Sequence, residues 1–209
     1  MRAAFSPRLW LFIWLGIGAA ALLYVILAAS LSAGPGKKQP RRQGAEAVLH
    51  DPALQVGAMA KFIYAPEART APAETFLHRG ETTSLLAFRG RAVLVNFWAT
   101  WCAPCVKELP SLDRLEKKLG GEDFEVVAVA ADPTGEEKAS AFLDKLGLEN
   151  LKHYADPQLK LAIAAGGSAS LPLSILYDAE GREIGRYSGE ADWSSPEAER
   201  LIRRAIAQK

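Results

Sequence analysis

The sequence predicts an α/β fold, with a mixed central sheet covered by helices on both faces. Three observations lead there. Arg91 to Phe97 and Phe124 to Ala131 are apolar runs rich in β-branched and aromatic residues, which read as buried strands. Between them Leu109, Leu112, Leu115 and Leu119 recur at spacings of three and four, the period of a helix. Leu173 to Tyr177 and Glu183 to Tyr187 flank the turn Asp178-Ala179-Glu180-Gly181, which reads as a hairpin. Apolar strands joined by helical crossovers bury both faces of their sheet.

The elements follow in order from about Glu74, so residues 74–209 are expected to form the folded domain. Thr75-Phe76-Leu77 is a short edge strand, and Arg79-Gly80-Glu81 a turn. Leu85, Leu86 and Phe88 suggest one helical turn closed by Gly90. A helix runs from Pro104 to Leu119 and is ended by Gly120-Gly121. Glu136 to Leu146 is a second helix stopped by Gly147. Gln158 to Ala165 is a shorter one stopped by Gly166-Gly167, and Pro196 to Ala207 is an amphipathic closing helix.

Two segments precede this domain. Leu9 to Leu31 contains no Asp, Glu, Lys or Arg. As a helix it would be roughly 34 Å long, enough to cross a bilayer core. Trp10 and Trp14 could anchor one end at the interface. The expectation is an N-terminal transmembrane helix within an anchor of residues 1–33. A cleaved secretory signal is the competing reading, from the small residues between Ala28 and Ala33, though its apolar region usually runs only about 7–15 residues. Residues 34–73 hold Gly34-Pro35-Gly36, a basic cluster (Lys37, Lys38, Arg41, Arg42) and Pro52, Pro66 and Pro72. Beyond a short helix suggested within Val48 to Met59, no period runs through them, and they are expected to form a tether. The basic cluster after the span, set against Arg2 and Arg8 before it, would place the domain in the cytoplasm by charge count. A tethered dithiol protein belongs instead where disulfides form, so the expected location is the inner (cytoplasmic) membrane, with the domain in the periplasm.

The chemistry is concentrated at Phe97-Trp98-Ala99-Thr100-Trp101-Cys102-Ala103-Pro104-Cys105, which holds both cysteines of the chain. Structural disulfides normally tie distant segments, and a zinc site needs about four ligands. His50, His78 and His153 are scattered and show no ligand spacing. What remains is a dithiol that opens and closes as a redox couple. With 25 basic and 24 acidic residues, the charge balance gives no sign of a nucleic-acid partner. Cys102 precedes the helix and Cys105 lies in its first turn. Unpaired amides and the helix dipole there stabilise a thiolate, which is the reacting species. Cys102 is therefore the expected exposed nucleophile and Cys105 the deeper, resolving thiol. Pro104 is tolerated because the first turn needs no amide donor. Ala103 and Pro104, between the cysteines, tune the couple.

The run from Trp101 to Cys105, continued by Val106-Lys107-Glu108-Leu109-Pro110 and preceded by Asn96-Phe97-Trp98-Ala99-Thr100, resembles the TlpA/ResA branch of membrane-anchored thioredoxin-like thiol:disulfide oxidoreductases, and its TlpA type most of all. The likeness extends from about Thr75 to Ile206 and implies a thioredoxin-like fold. By resemblance Pro172 is a cis-proline facing the dithiol, where its residues alone would indicate only an X-Pro turn, commonly trans. Leu171 would then bond to an incoming partner segment, with Trp101, Ala103 and Pro104 on the same partner surface. Glu108 would handle a proton near Cys105, since a partly buried carboxylate can exchange a proton with a thiol; the alternative is a solvated surface Glu. Asn96 stands where thioredoxin proper carries a buried Asp. The chain departs from the branch at Leu173, where a small or hydroxyl residue is usual, and at Gly166 to Ser170, which bears on partner preference.

The resemblance further implies client proteins with disulfides or metal-site cysteines, a membrane-embedded electron donor, and no cofactor beyond the Cys102–Cys105 pair. The role expected of a TlpA-like protein is copper-site assembly in cytochrome oxidase, with cytochrome c maturation as the alternative. A Cu(I) chaperone using the same thiolates as soft ligands is a different class. A peroxidase would need Arg and Thr around an isolated cysteine, and that constellation is not evident.

Overall fold

The computed structural model describes residues 50–67, 69–166 and 170–208. The expected membrane helix at 9–31 lies outside them, as does the first part of the expected tether. Among the described residues no helix is long and apolar enough to cross a membrane.

Among the described residues eight strands form one sheet: β1 (Ile63–Tyr64), β2 (Thr75–His78), β3 (Glu81–Ser84), β4 (Ala92–Trp98), β5 (Phe124–Ala130), β6 (Tyr154–Ala155), β7 (Leu173–Tyr177) and β8 (Glu183–Ser188). Their spatial order is β1-β8-β7-β4-β5-β6-β2-β3. β4–β5 and β5–β6 are parallel and the remaining pairs antiparallel, so the sheet is mixed as expected. The helices are α1 (Ala103–Leu119), α2 (Glu136–Lys145), α3 (Lys160–Ala164) and α4 (Pro196–Ile206). α3 is shorter than the expected Gln158–Ala165. Leu159, its N-cap, takes a left-handed backbone (φ 58°), so the helix cannot extend back through it, and Asp156 accepts from the free amides of Lys160 (3.0 Å) and Ala162 (2.9 Å).

The central strands are buried on both sides, and their alternation sorts side chains onto two faces. Leu94 and Trp98 of β4, with Phe124, Val126, Ala128 and Ala130 of β5, pack with Leu109, Leu112 and Leu115 of α1 and Leu201 and Ile202 of α4. Val93, Val95, Phe97, Val127 and Val129 pack on the other face with Phe76, Leu85, Phe88 and Leu161. Asn96 shares the α1 face with Leu94 and Trp98 by this parity, which brings a buried amide beneath the first turns of α1.

The stretch from Asp51 to Tyr64, expected to be tether, is instead part of the body. Short 3₁₀ turns at Pro52–Leu54 and Gly57–Met59 replace the expected helix. Met59 and Phe62 are fully buried in the core, and Tyr64 donates to the carbonyl of Asp51 at 2.9 Å. β1 then pairs with β8, placing Ile63 opposite Arg186. Gly185 allows this approach: a Cβ there would lie 2.5 Å from the Ile63 carbonyl oxygen and 2.6 Å from the Phe62 ring. Three-residue turns and a two-residue strand have no period for a sequence reading to detect. The folded body therefore begins well before residue 74. Phe62→Ala removes a buried ring and should destabilise by about 3–5 kcal/mol. A urea midpoint unchanged from wild type would contradict the docking.

A buried carboxylate, Glu125, and a half-buried one, Glu116, neighbour each other in this framework away from the cysteines. Glu125 accepts from the Tyr154 hydroxyl (2.6 Å) and pairs with Arg91 (3.0 Å) and Lys152 (2.8 Å). Glu116 on α1 accepts the Val126 amide at 2.6 Å. Burial pushes its carboxyl up to about 7 against that hydrogen bond, and the Glu125 charge adds to the rise.

Candidate active site

Parallel strands β4 and β5 end side by side, and the amide of Ala131 donates to the Trp98 carbonyl at 2.8 Å. The chain then turns sharply: the Cys102 amide donates to the Ala99 carbonyl (3.1 Å), which closes a four-residue turn from Ala99 to Cys102. Cys102 is the N-cap of α1, and its own carbonyl accepts the Val106 amide at 3.0 Å. Its sulfur makes no capping hydrogen bond. It is joined to Cys105, one turn in, by a disulfide with S–S 2.03 Å and Cα–Cα 5.3 Å.

Cys102 retains 6 % of its surface and Cys105 none. The expected order of access holds, but Cys102 is not broadly exposed: in the disulfide its sulfur is turned toward Cys105 and the residue joins the core cluster. The exposed surface belongs to its neighbours. Trp101 is 68 % exposed, and Ala103 and Pro104 are also exposed, which leaves a projecting ring and two small residues around the outer sulfur.

The Leu171–Pro172 peptide is cis, as the resemblance implies. Pro172 is buried immediately before β7, the neighbour of β4, and its carbonyl accepts the Gly189 amide at 2.9 Å. Leu171 is half-buried and packs against both core clusters.

Glu108 lies three residues after Cys105, on the inner side of α1, and is 2 % exposed. This excludes the solvated-surface alternative. Its Oε1 accepts from Asn96 Nδ2 at 2.7 Å, and its Oε2 accepts the Ala191 amide at 3.0 Å. Burial pushes its carboxyl up to about 7. The hydrogen bonds from Ala191 and Asn96 oppose that rise, as does the Trp193 indole N–H, which lies nearby outside ordinary hydrogen-bond geometry. The Glu190 charge adds to the rise, although Glu190 is itself paired with Lys107 at 2.5 Å. Asn96 Nδ2 also donates to Ser174 Oγ at 2.9 Å. Ser111 Oγ donates to the Glu108 carbonyl (2.7 Å) and accepts the Trp193 amide (3.0 Å), which closes the 191–193 segment over the carboxylate.

Sequence reasoning named Cys102, Cys105, Glu108, Pro172, Leu171 and the Trp101–Pro104 rim; it did not name Ser174, Ser111, Ala191 and Trp193, which surround the Glu108 carboxyl. Asn96 held the available signal: an amide inside an apolar strand requires buried partners. Nothing near residues 191–193 announces a contact more than 80 positions back along the chain. Asp132 and Thr100, also missed, bond to each other beside the turn that leads into Cys102.

Comparison with known proteins agrees with this geometry. The thiol-disulfide oxidoreductase ResA of Bacillus thuringiensis subsp. konkukian is 32 % identical over 118 residues, covering 53 % of this chain and 62 % of that protein. The thiol:disulfide interchange protein HelX of Rhodobacter capsulatus is 35 % identical over 100 residues, covering 48 % and 53 %. The chain therefore spans under two thirds of the length of these curated relatives. A crystal structure of a DsbE-type thiol:disulfide interchange protein from Chlorobium tepidum superposes with a TM-score of 0.57 at 26 % identity, over 68 % of this chain and 96 % of that one. The fold is thioredoxin-like. Because the family model described as Redoxin matches residues 65–202, from just after β1 through most of α4, the chain belongs to the Redoxin family.

Proposed function

We propose that the protein is a thiol:disulfide oxidoreductase that works as a reductant of client proteins. One observation carries this reading: a disulfide at the N-terminus of a long helix, its outer cysteine alone keeping solvent access. In the reduced form the Cys102 thiolate attacks a client disulfide. A Cys102–client S–S bond forms, and the client's second sulfur leaves as a thiolate and takes up a proton. Cys105 then loses its proton, and its thiolate attacks Cys102 Sγ. The client's first sulfur departs and is protonated in turn. Two electrons pass from the Cys102–Cys105 pair to the client, and no other redox group is required. Glu108, one turn from Cys105, accepts the Cys105 proton; a carboxyl poised near neutrality suits that exchange. Trp101, Ala103 and Pro104 form the rim on which a client segment lies, and Leu171 offers its backbone beside Pro172. A membrane-embedded donor restores the dithiol.

The finer reading follows from the TlpA-type motif and the Leu9–Leu31 segment. The protein is held at the inner membrane with its domain in the periplasm, and its clients carry metal-site cysteines, those of the cytochrome oxidase copper site in particular. The family match and the ResA, HelX and DsbE likenesses support the exchange chemistry. The test is the redox equilibrium of Cys102–Cys105 against glutathione. A potential near that of thioredoxin, about −270 mV, is expected of a reductant, whereas a value near −120 mV would reverse the flow of electrons. Capture of apocytochrome instead of an oxidase subunit would overturn the copper-site assignment alone.

A further inference from the structure

Asp132 follows β5 and is 1 % exposed, yet it makes no ion pair among the described residues. All its recorded partners are hydrogen-bond donors. Oδ2 accepts the Thr100 amide at 3.0 Å and the Thr100 hydroxyl at 2.6 Å, and Oδ1 accepts the Thr134 amide at 2.9 Å. Burial alone would raise its carboxyl; the hydrogen bonds from Thr100 and Thr134 outweigh that and hold it below its usual range. A carboxylate buried at this depth without a cation is costly unless its oxygens are fully used. Thr100 is the second residue of the Ala99–Cys102 turn, Trp101 the third and Cys102 the fourth. One side chain therefore grips the turn that presents the projecting ring and the outer sulfur. The β5 end that carries it is itself fixed to β4 by the Ala131–Trp98 bond.

We propose that Asp132 is a positioning residue: through Thr100 it fixes the direction in which Trp101 and Cys102 face a protein client, and so contributes to client recognition. This rests on the exchange activity proposed above and goes beyond it, since no step of that chemistry uses Asp132. A small disulfide needs only the sulfur, whereas a folded or peptide client also needs the rim. Losing the grip should therefore affect the two substrates differently.

The experiment compares wild type, Asp132→Asn and Thr100→Val on a disulfide-bonded peptide and on oxidised glutathione, with Tm recorded for each. Thr100→Val keeps the amide bond and nearly the same volume while deleting the 2.6 Å hydroxyl bond. The expected result is a KM for the peptide raised severalfold in both variants, with peptide kcat and the glutathione rate within about twofold of wild type. A lowered Tm with peptide KM unchanged in both variants would make Asp132 merely structural and overturn the proposal. Equal loss on both substrates would also overturn it, because the defect would then lie at the sulfur and not at the rim. Wild type inert on both substrates would instead sink the oxidoreductase reading. The affinity of the oxidised proteins for the peptide, which needs no turnover, then decides: a Kd raised severalfold in both variants keeps the positioning role, and an unchanged Kd removes it.

Discussion

Cys102→Ser is expected to lose disulfide-reductase turnover by on the order of a thousandfold or more, since it removes the attacking nucleophile. Cys105→Ser should lose steady-state turnover as well, but by a different route. The outer sulfur can still attack a client, yet nothing remains to resolve the bond, so a mixed disulfide accumulates. The two variants are separable on a non-reducing gel: client-linked species with Cys105→Ser, none with Cys102→Ser, and collapse of the adduct on adding a thiol. The argument for this asymmetry is geometric. Cys102 caps α1 with 6 % of its surface reachable, whereas Cys105 has none and sits against the α1-face core. A client sulfur has a path to the first and not to the second. Adducts appearing equally on both variants, or on neither, would remove the assigned order of attack and with it the account of the site.

The parts of this protein that were legible in advance are those where a residue pattern repeats or stands out against its surroundings. β4, β5, α1 and the β7–β8 hairpin carry strong apolar periods, and the structure places them within a residue or two of expectation. The paired cysteines are the only ones in the chain, so the redox couple was apparent from spacing alone. β1 and β6 escaped notice because a two-residue strand has no alternation to read. Glu81 to Ser84 escaped because β3 is an edge strand with polar side chains, paired only to β2 among the described strands. The docking of Phe62 and β1 depends on Gly185, more than a hundred residues away, leaving room for Phe62 and the Ile63 carbonyl. Glu108 could be placed on the Cys105 side of its helix by counting, but its burial is set by the 191–193 segment, which no local pattern connects to α1. Local chemistry was readable; the contacts that tune it are long-range, and the fold had to supply them.

Glu108→Gln carries the second large effect, and it should appear in both activity and stability. A general acid–base group contributes about 10²–10⁴-fold to a proton-coupled step. Resolution by Cys105 is therefore expected to slow by at least about a hundredfold near pH 7, and the pH dependence of that step around neutrality should disappear. On the stability side, the folded carboxyl sits near 7, above the 4.5 of the unfolded chain. Between those values the folded state holds a proton that the unfolded state has released. Stability contributed by this group is thus complete below about pH 4.5 and is lost as pH rises through 7, a fall of about 3 kcal/mol for one fully buried group. Gln cannot titrate, so the variant should lose that slope and keep only the part due to Glu116, whose carboxyl is raised in the same direction. Below pH 4.5 the variant should be the less stable protein. The amide keeps an oxygen for Asn96 but turns an N–H toward the Ala191 amide, which no longer finds an acceptor. As pH rises toward 8 that deficit should shrink, because wild type then carries an ionised carboxylate in a buried site and the variant does not. Urea unfolding at pH 4.5, 6 and 8, with the Cys102–Cys105 disulfide intact, measures the two slopes directly. Parallel curves for wild type and Glu108→Gln would mean that Glu108 is already ionised throughout this range, and a proton acceptor for Cys105 would have to be sought elsewhere.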